Sequence, residues 1–286
     1  MKNIGKIIKK IDKKATEPDL SEEELAKIID HTQLSPYASE DSLEKVCEEA
    51  KSFKFHSVCV NPYYTKFCNN KLAEEEIKID TVVGFPLGQT SPEEKAFETK
   101  KAIENGAKEI DMVMNIGAFK DKKYNFVKKE IEAVTNASKK NIVKVIIETS
   151  YLTFEEIKKA CKIVKNAGAD FVKNATGFGP YGANIPHIYI MRETVGENFG
   201  IKAAGGIHNA KDALRMIAAG ANRIGASAGT KIVKTLKNTY QEKWKTEEPL
   251  CNLCPSNMVS KNEVSKSLYN YYKSKCENCQ YKSEAA

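Results

Sequence analysis

Short β-rich runs alternate with helix-like stretches along most of this chain, and this alternation limits the folds that the chain can adopt. The eight β-rich runs are Ile28–Asp30, Ser57–Val60, Ile79–Phe85, Glu109–Asn115, Val143–Thr149, Phe171–Ala175, Ile201–Gly205 and Arg223–Ser227. Segments rich in Glu, Lys and Ala lie between most of them, namely Ser42–Ser52, Pro92–Asn105, Phe126–Ser138, Phe154–Ala167 and Ala210–Ala219. Strands that alternate with helices in this way form parallel β/α units.

The number of β-rich runs favours a closed barrel. Eight β/α units in a chain of 286 residues fit a (β/α)8 TIM barrel, which typically needs about 250 residues. No Gly-x-Gly-x-x-Gly segment follows the first run, which weakens the alternative of an open dinucleotide-binding sheet. We therefore predict an α/β fold, a TIM barrel with an N-terminal helix and a small Cys-rich C-terminal appendage.

Both ends of the chain differ from its middle. Residues 1–20 place Ile4, Ile7, Ile8 and Ile11 at helical spacing opposite lysines, which predicts an amphipathic helix. A membrane-surface or targeting helix would show a similar pattern, but the narrow apolar stripe favours a helix packed on the outside of the main domain. We expect the barrel over residues 21–240 and a separate tail over residues 246–286.

The net charge of +7 comes from these two basic ends, while residues 21–230 are balanced. An enzyme of nucleic acids would more often carry its positive charge on the working domain, so nucleic acid is not the expected partner. No apolar run is long enough to span a membrane, and no secretory signal follows Met1. We therefore expect a soluble, cytoplasmic protein with reduced thiols.

Two lysines and one aspartate fall on the inward faces of three predicted strands. Reactive side chains of TIM barrels lie at the C-terminal ends of the strands, and residues two apart on a strand share a face. This places Asp111, Lys173 and Lys202 inside the barrel. One buried lysine can add to a carbonyl if the second ammonium keeps it unprotonated, with Asp111 relaying protons. The alternative is an ordinary ion pair, such as Lys173 with Asp111.

Glycine-rich segments follow the last three predicted strands. These segments are Thr176–Gly179, Gly205–Ile207 and Gly225–Gly229. The loops after strands seven and eight often bind phosphate in TIM barrels, and glycine lets an anion approach backbone N–H groups closely. Glycine also simply makes turns, but three such segments on consecutive strands indicate a phosphorylated substrate.

Eight segments together resemble the deoxyribose-phosphate aldolase family, in that family's order and over about residues 24–235. They are Asp30–Thr32, Ser57–Pro62, Val83–Gly88, Glu109–Val113, Lys144–Thr149, Asp170–Lys173, Lys202–Ile207 and Arg223–Ser227. The resemblance implies a class I aldolase of deoxyribonucleotide catabolism. Such an enzyme reversibly cleaves 2-deoxy-D-ribose 5-phosphate to D-glyceraldehyde 3-phosphate and acetaldehyde, through a lysine Schiff base and without a metal. A homodimer is common in the family.

The same resemblance implies roles for individual residues. Lys173 is the Schiff-base nucleophile, Lys202 is the second lysine that keeps it unprotonated, and Asp111 is the proton-relay acid. The positions that match the phosphate site and the pocket wall are Asp30, Cys59, Thr176, Gly177, Gly205, Gly206, Gly225 and Ser227. Cys59 is better explained as a small buried hydrophobe than as a catalytic group.

Four positions depart from the family pattern. Asn174 and Ala175 stand where the family usually has Thr-Ser, His208 where Arg is common, and Ala228 where a second Ser is usual. The carbonyl chemistry keeps its residues, while the phosphate and hydroxyl contacts change. Two alternatives therefore stay open, a related class I aldolase with a different aldehyde substrate and a non-catalytic barrel whose tail binds a partner.

The tail carries two Cys-x-x-Cys pairs, Cys251 with Cys254 and Cys276 with Cys279. Each pair can chelate, and four thiolates complete a tetrahedral zinc site, although the gap between the pairs slightly exceeds the usual window. We predict a structural zinc without a catalytic role. An iron–sulfur cluster and a free-thiol tail are the alternatives, and the module could dock on the barrel, join subunits or bind an unknown partner.

Overall fold

The computed structural model describes residues 4–16, 20–241, 269–270 and 273–274. Eight parallel strands form a closed barrel in which each strand pairs with the next along the chain and the eighth pairs with the first. The strands are β1 (Ile29–Gln33), β2 (Ser57–Val60), β3 (Lys78–Val83), β4 (Glu109–Val113), β5 (Ile142–Ile146), β6 (Phe171–Lys173), β7 (Gly200–Ala204) and β8 (Arg223–Ala226). The predicted (β/α)8 fold is confirmed.

Helices follow the strands, and their apolar faces meet the strands in one large core that includes Val145, Ile157 and Ile188. The α-helices are α1 (Ile4–Ala15), α2 (Glu22–Ala26), α3 (Glu40–Phe53), α4 (Thr65–Lys71), α5 (Pro92–Glu104), α6 (Ile116–Lys120), α7 (Tyr124–Ala137), α8 (Phe154–Asn166), α9 (Ile185–Val195), α10 (Ala210–Ala218), α11 (Gly229–Lys234) and α12 (Leu236–Gln241). Single 3-10 turns lie at Pro62–Tyr64 and Thr149–Tyr151.

Side-chain caps determine where several helices begin. Ser39, Ser91 and Thr153 each accept a hydrogen bond from the backbone N–H three residues later, and the side chain of that later residue accepts one from the N–H of the cap. Such reciprocal pairs satisfy two N–H groups that would otherwise lack partners. The loops after β1, β3 and β5 therefore end at fixed points.

The ends of β5 and β6 differ from the sequence prediction. β5 ends at Ile146 and β6 at Lys173, both before the ends that the residue pattern predicts. Glu148 has a left-handed backbone φ of 47°, which an extended strand does not contain. The Thr149 N–H nevertheless donates to the Asn174 carbonyl at 2.7 Å, so the two segments remain adjacent beyond their strands.

Helix α1 lies on the outside of the barrel against α9 and α10. Ile8 and Ile11 are buried, and the Asp12 carboxylate accepts a hydrogen bond from Arg215 Nε at 2.9 Å. Ile8 and Ile11 of the apolar stripe are thus covered by helices of the barrel. Within the described ranges, no helix combines the length and the apolar character that crossing a membrane requires.

The predicted zinc ligands Cys251, Cys254, Cys276 and Cys279 lie outside the described residues. Among the later residues that are described, Tyr269 packs against the hydrophobic core. The cysteines of the barrel are free thiols, and all four are buried: Cys47, Cys59, Cys68 and Cys161.

Candidate active site

The interior of the barrel is charged. The acids and bases that meet there are Asp30, Asp80, Glu109 and Asp111 with Lys144, Lys173, Lys202 and Arg223. All of these side chains are buried. An isolated buried charge would be very costly, so the cluster depends on the pairing of its acids with its bases.

Lys173 is the last residue of β6 and lies beside Lys202 in the β6–β7 pair. Its Nζ donates to Asp111 Oδ2 at 2.7 Å. The Lys173 side chain is only 3% exposed, yet it lines a cavity of about 270 Å³. A ligand in this cavity can therefore reach the Lys173 amine.

Lys202 is fully buried and has three carboxylate partners. Its Nζ lies 2.7 Å from Asp111, 2.6 Å from Asp30 and 2.8 Å from Asp80. Burial lowers the pKa of Lys202, but the three carboxylates, led by Asp111, raise that pKa well above its ordinary value. Lys202 therefore stays protonated and is a fixed positive charge next to Lys173.

Asp111 joins the three lysines of the barrel interior. Its Oδ2 accepts from Lys173 and Lys202 at 2.7 Å each, and its Oδ1 lies 2.9 Å from Lys144 Nζ. Burial tends to raise the pKa of Asp111, but the ammonium groups of Lys144, Lys173 and Lys202 bring it well below its ordinary value. Asp111 is thus an ionised carboxylate shared by three cations.

The network continues towards the N-terminal ends of the strands. Glu109 Oε2 lies 2.7 Å from Lys144 and 2.8 Å from Arg223. Glu109 Oε1 contacts His56 Nε2 at 2.7 Å. Lys144 also lies 3.1 Å from Asp80, so the C-terminal and N-terminal ends of the barrel share one set of ion pairs.

Four members of this network had no role predicted from the sequence, namely Asp80, Glu109, Lys144 and Arg223. The sequence does contain a feature that could have identified them, because each is a charged residue inside a β-rich run. Period two also places Glu109 on the face of Asp111. Such a pattern indicates inward charges without showing their partners, which lie on other strands.

Loops after β1, β6, β7 and β8 border the cavity beside Lys173. Its lining includes the predicted phosphate-site residues, namely Thr176, Gly177, Gly205, Gly206, Gly225 and Ser227. Gly206 has a φ of 74° and a Cβ there would meet no atom within 4 Å, so a ligand can approach its backbone closely. The structure therefore brings these residues together with Lys173.

Asp30 and Cys59, which the resemblance places in the pocket wall, are not among the lining residues. Asp30 lies inside the barrel and pairs with Lys202. Cys59 packs with Leu34 and Val82. Burial raises the pKa of the Cys59 thiol well above its ordinary value, so this side chain is a neutral, apolar group.

Among the four departures from the family pattern, His208 lines the cavity, whereas Asn174, Ala175 and Ala228 do not. The Asn174 side chain accepts from the Ala204 N–H at 2.7 Å and donates to the Ala204 carbonyl at 3.2 Å. Asn174 thus links the ends of β6 and β7.

Two groups in the described part of the chain are compact enough to hold a metal ion. They are Asp30 with His56 and Glu109, and Cys59 with Asp80 and Asp111. The carboxylates of both groups already pair with lysine or arginine. A divalent cation there would meet those positive charges, so both groups fit a metal poorly.

Comparison with known proteins decides the family. Residues 24–242 match a family model described as DeoC/LacD family aldolase. The chain belongs to this family. The predicted resemblance is therefore confirmed, and helix α1 and the Cys-rich tail lie outside the matched DeoC/LacD range.

Individual relatives of this DeoC/LacD aldolase match three quarters or more of the chain. The deoxyribose-phosphate aldolase of Clostridium tetani is 60% identical over 215 residues, which are 75% of this chain and 100% of that protein. The enzyme of the same name from Thermococcus gammatolerans is 52% identical over 219 residues, 75% of this chain and 97% of that protein. The tetrameric deoxyribose phosphate aldolase of Aeropyrum pernix has a solved structure with a TM-score of 0.75. It is 30% identical and covers 80% of this chain and 97% of its own.

Proposed function

We propose that this chain is a deoxyribose-phosphate aldolase, a carbon–carbon lyase that reversibly cleaves 2-deoxy-D-ribose 5-phosphate to D-glyceraldehyde 3-phosphate and acetaldehyde. The observation that carries the proposal is the position of Lys173, on the wall of a cavity and beside the fixed charge of Lys202 and the shared carboxylate of Asp111. Relatives that bear this enzyme's name are 60% and 52% identical to the chain over the matched residues.

The first step is the addition of Lys173 Nζ to the C1 aldehyde of the open-chain sugar phosphate. Loss of water from the adduct then gives a protonated imine. The addition requires a neutral amine, so the Lys173 ammonium first gives up a proton. Asp111, 2.7 Å from Lys173 Nζ, is placed to take the proton that the amine releases.

The second step breaks the C2–C3 bond of the imine. The C3 hydroxyl gives its proton to Asp111, directly or through a water, while the bonding electrons move to the imine nitrogen. Glyceraldehyde 3-phosphate leaves, and C2 of the remaining enamine takes up a proton through the same relay. Hydrolysis of the new imine releases acetaldehyde and restores Lys173. Proton transfer by a positioned group contributes about 10²- to 10⁴-fold to such rates.

The phosphate would lie at the ends of β7 and β8. Gly205, Gly206, Gly225 and Ser227 border the same cavity as Lys173, with Thr176 and Gly177 also in its wall. Backbone N–H groups in glycine-rich loops and a serine hydroxyl are donors that suit phosphate oxygens. The shared cavity supports one substrate that contacts both the phosphate residues and the amine.

The test is cleavage of 2-deoxyribose 5-phosphate by the purified protein, with and without a chelator. We expect turnover that the chelator does not change. In parallel, acetaldehyde with borohydride should leave a reduced adduct on Lys173. Absence of turnover in the folded protein, or an adduct on another lysine, would overturn the proposal.

His208 favours a second candidate, a class I aldolase with a different aldehyde substrate. This residue lines the cavity at a position where the family commonly has an arginine. A panel of phosphorylated and unphosphorylated aldehydes distinguishes the candidates. A higher kcat/KM for an unphosphorylated acceptor would support the second one.

We infer that catalysis needs no metal, that the chain works in the cytoplasm as a homodimer, and that Cys251, Cys254, Cys276 and Cys279 hold a structural zinc. The relative from Aeropyrum pernix is described as a tetramer, so light scattering should be used to count subunits here. Elemental analysis of the purified protein checks the zinc, and a pull-down with and without residues 246–286 checks whether the tail binds a partner.

A further inference from the structure

Glu148 has an unusual backbone conformation directly after β5. Its φ is 47° and its ψ is 70°, in the left-handed region that residues with a side chain rarely adopt. The side chain is also buried, with 2% of its surface exposed. Left-handed residues of this kind persist only where their surroundings hold them, and they are frequent at functional sites.

The carboxylate of Glu148 is held by three hydrogen bonds. Its Oε2 accepts from the Thr176 backbone N–H at 3.0 Å and from Thr176 Oγ1 at 2.5 Å. Its Oε1 accepts from Ser150 Oγ at 2.9 Å. Thr176 Oγ1 in turn accepts from the Phe178 N–H at 3.0 Å. Glu148 thus determines where both the backbone and the side chain of Thr176 lie.

The segment that Glu148 holds is part of the active-site wall. Thr176, Gly177 and Phe178 line the cavity that contains Lys173. Glu148 does not line that cavity. It borders another cavity of about 350 Å³, which shares Thr176 and Phe178 with the first. Any effect of Glu148 on a substrate in the first cavity therefore passes through the segment from Thr176 to Phe178.

Gly179 makes the room for the Glu148 carboxylate. A Cβ at Gly179 would lie 2.8 Å from Glu148 Cδ and 2.8 Å from Ser150 Oγ, which is closer than real Cβ contacts. Further along the same loop, the Ala183 N–H donates to the Gly205 carbonyl at 2.9 Å. The loop after β6 is therefore fixed on one side by Glu148 and on the other by the end of β7.

We propose that Glu148 is a positioning residue for the aldolase reaction, whose carboxylate holds the segment from Thr176 to Phe178 in the place where it contacts the sugar phosphate. This inference rests on the proposed function. Because the segment binds the substrate and does not take part in bond breaking, loss of Glu148 should weaken substrate binding more than it slows the chemical step.

The experiment compares Glu148→Ala with Glu148→Gln and Ser150→Ala. Glu148→Ala removes the carboxylate oxygen that accepts from the Thr176 N–H and from the Thr176 hydroxyl. KM for 2-deoxyribose 5-phosphate should therefore rise about 10- to 100-fold, while kcat changes less than about threefold. Glu148→Gln keeps an oxygen that can accept from the Thr176 N–H and should recover most of the affinity. Ser150→Ala leaves both Thr176 contacts in place and should change KM less than about threefold.

Trapping with acetaldehyde and borohydride separates positioning from catalysis. The adduct on Lys173 should form in Glu148→Ala at nearly the wild-type rate. Unchanged kinetics in Glu148→Ala would overturn the inference, and so would a large fall in kcat or a loss of trapping. If Glu148→Ala does not fold, Gly179→Ala tests the same contact from the other side and should raise KM without a loss of kcat.

The inference can also be judged if the proposed function fails. If the wild-type chain does not cleave the sugar phosphate, hydrogen exchange of a peptide spanning residues 176–184 tests the positioning role of Glu148. Faster exchange of this peptide in Glu148→Ala than in wild type, with other peptides unchanged, supports the positioning role. Equal exchange would overturn it.

Discussion

Two buried lysine–carboxylate pairs in this molecule have similar geometry in different surroundings. In the layer outside the barrel, Lys95 Nζ of α5 lies 2.5 Å from Glu130 Oε2 of α7. Inside the barrel, Lys173 Nζ lies 2.7 Å from Asp111 Oδ2. The side chains of Lys95 and Lys173 are 0% and 3% exposed, so neither burial nor pairing distinguishes them.

Their surroundings do distinguish them. Lys95 also donates to the carbonyls of Gly88 and Val113 at 2.8 and 2.9 Å, which together with Glu130 uses the three N–H donors of an ammonium. Lys173 instead shares its carboxylate with other cations and lines a cavity. A lysine suited to catalysis is therefore one whose partner is shared and whose amine a ligand can reach.

The largest expected effect is that of Lys173→Ala. This variant removes the proposed nucleophile, so aldolase activity should fall by on the order of 10⁴-fold or more. Asp111 keeps Lys144 and Lys202 as partners, so the free energy of unfolding should change little. A coupled cleavage assay and urea unfolding measure the two quantities.

Lys202→Met is the matched contrast for Lys173→Ala. It should lower both activity and stability, because Asp30 and Asp80 lose a shared cation deep in the barrel. If Lys173→Ala were as unstable as Lys202→Met, or kept its activity, the distinction between a reactive lysine and a structural one would be wrong for this barrel.

Lys95→Met should have the opposite effect to Lys173→Ala. It leaves Glu130 buried without its cation, which should cost about 3–5 kcal/mol of unfolding free energy. The fraction that folds should keep kcat within about twofold, since Lys95 lies outside the described cavity wall. Adding Glu130→Gln should restore part of the stability. A stable Lys95→Met protein without activity would contradict the comparison.

A buried histidine in the outer layer provides a pH-dependent contrast with the ion pairs of the barrel interior. His187 of α9 is fully buried, and this burial lowers its pKa to about 3 from an ordinary value of 6.5. The unfolded chain therefore binds a proton at a pH at which the folded chain does not. Stability should consequently fall as the pH falls from about 6.5 towards 3, by roughly 1 kcal/mol per pH unit from this group.

His187→Gln should reduce that slope. Urea unfolding at intervals between pH 6.5 and 5 measures it. The pKa values of Asp30, Glu109 and Asp111 are lowered, to about 2 for Glu109, so these acids add a loss of stability only at lower pH. Burial raises the pKa of Asp80, but Asp80 is the same in wild type and variant, so its contribution cancels in the comparison. An equal slope in wild type and variant would show that His187 is not the group responsible.

The same contrast explains what could be predicted from the sequence. The alternation of β-rich runs with helices predicted the barrel, and period two placed Lys173, Lys202 and Asp111 inside it. The pattern did not single out Lys95, because a lysine on a helix rich in Lys and Glu normally indicates a solvated face. Its burial depends on the carbonyls of Gly88 and Val113, which belong to other parts of the chain.

The residue pattern also did not predict where β5 and β6 end. The run from Val143 to Thr149 is uniformly β-rich, and nothing in it indicates that Glu148 turns into the left-handed region. That conformation follows from hydrogen bonds with Thr176 and Ser150. The residue types thus predicted which side chains point inwards, whereas the contacts that fix the loops come from tertiary structure.

The smallest expected effect belongs to the exposed rim of the cavity. His208 is exposed, and only its backbone N–H is fixed, by Asp212 Oδ2 at 3.0 Å. His208→Arg would add a permanent positive charge beside the proposed phosphate site. Because exposed ion pairs contribute about 0–1 kcal/mol, KM for 2-deoxyribose 5-phosphate should fall by at most about fivefold.

Unphosphorylated 2-deoxyribose is the control substrate for His208→Arg, and its KM should not change. The gain for the phosphorylated sugar should also shrink as salt is raised, since exposed charges are screened over about 10 Å at 0.1 M salt. A salt-independent gain, or an equal gain for both sugars, would mean that residue 208 acts on the shape of the cavity. In that case the effect of residue 208 would differ from that of the buried charges of the barrel in kind as well as in size.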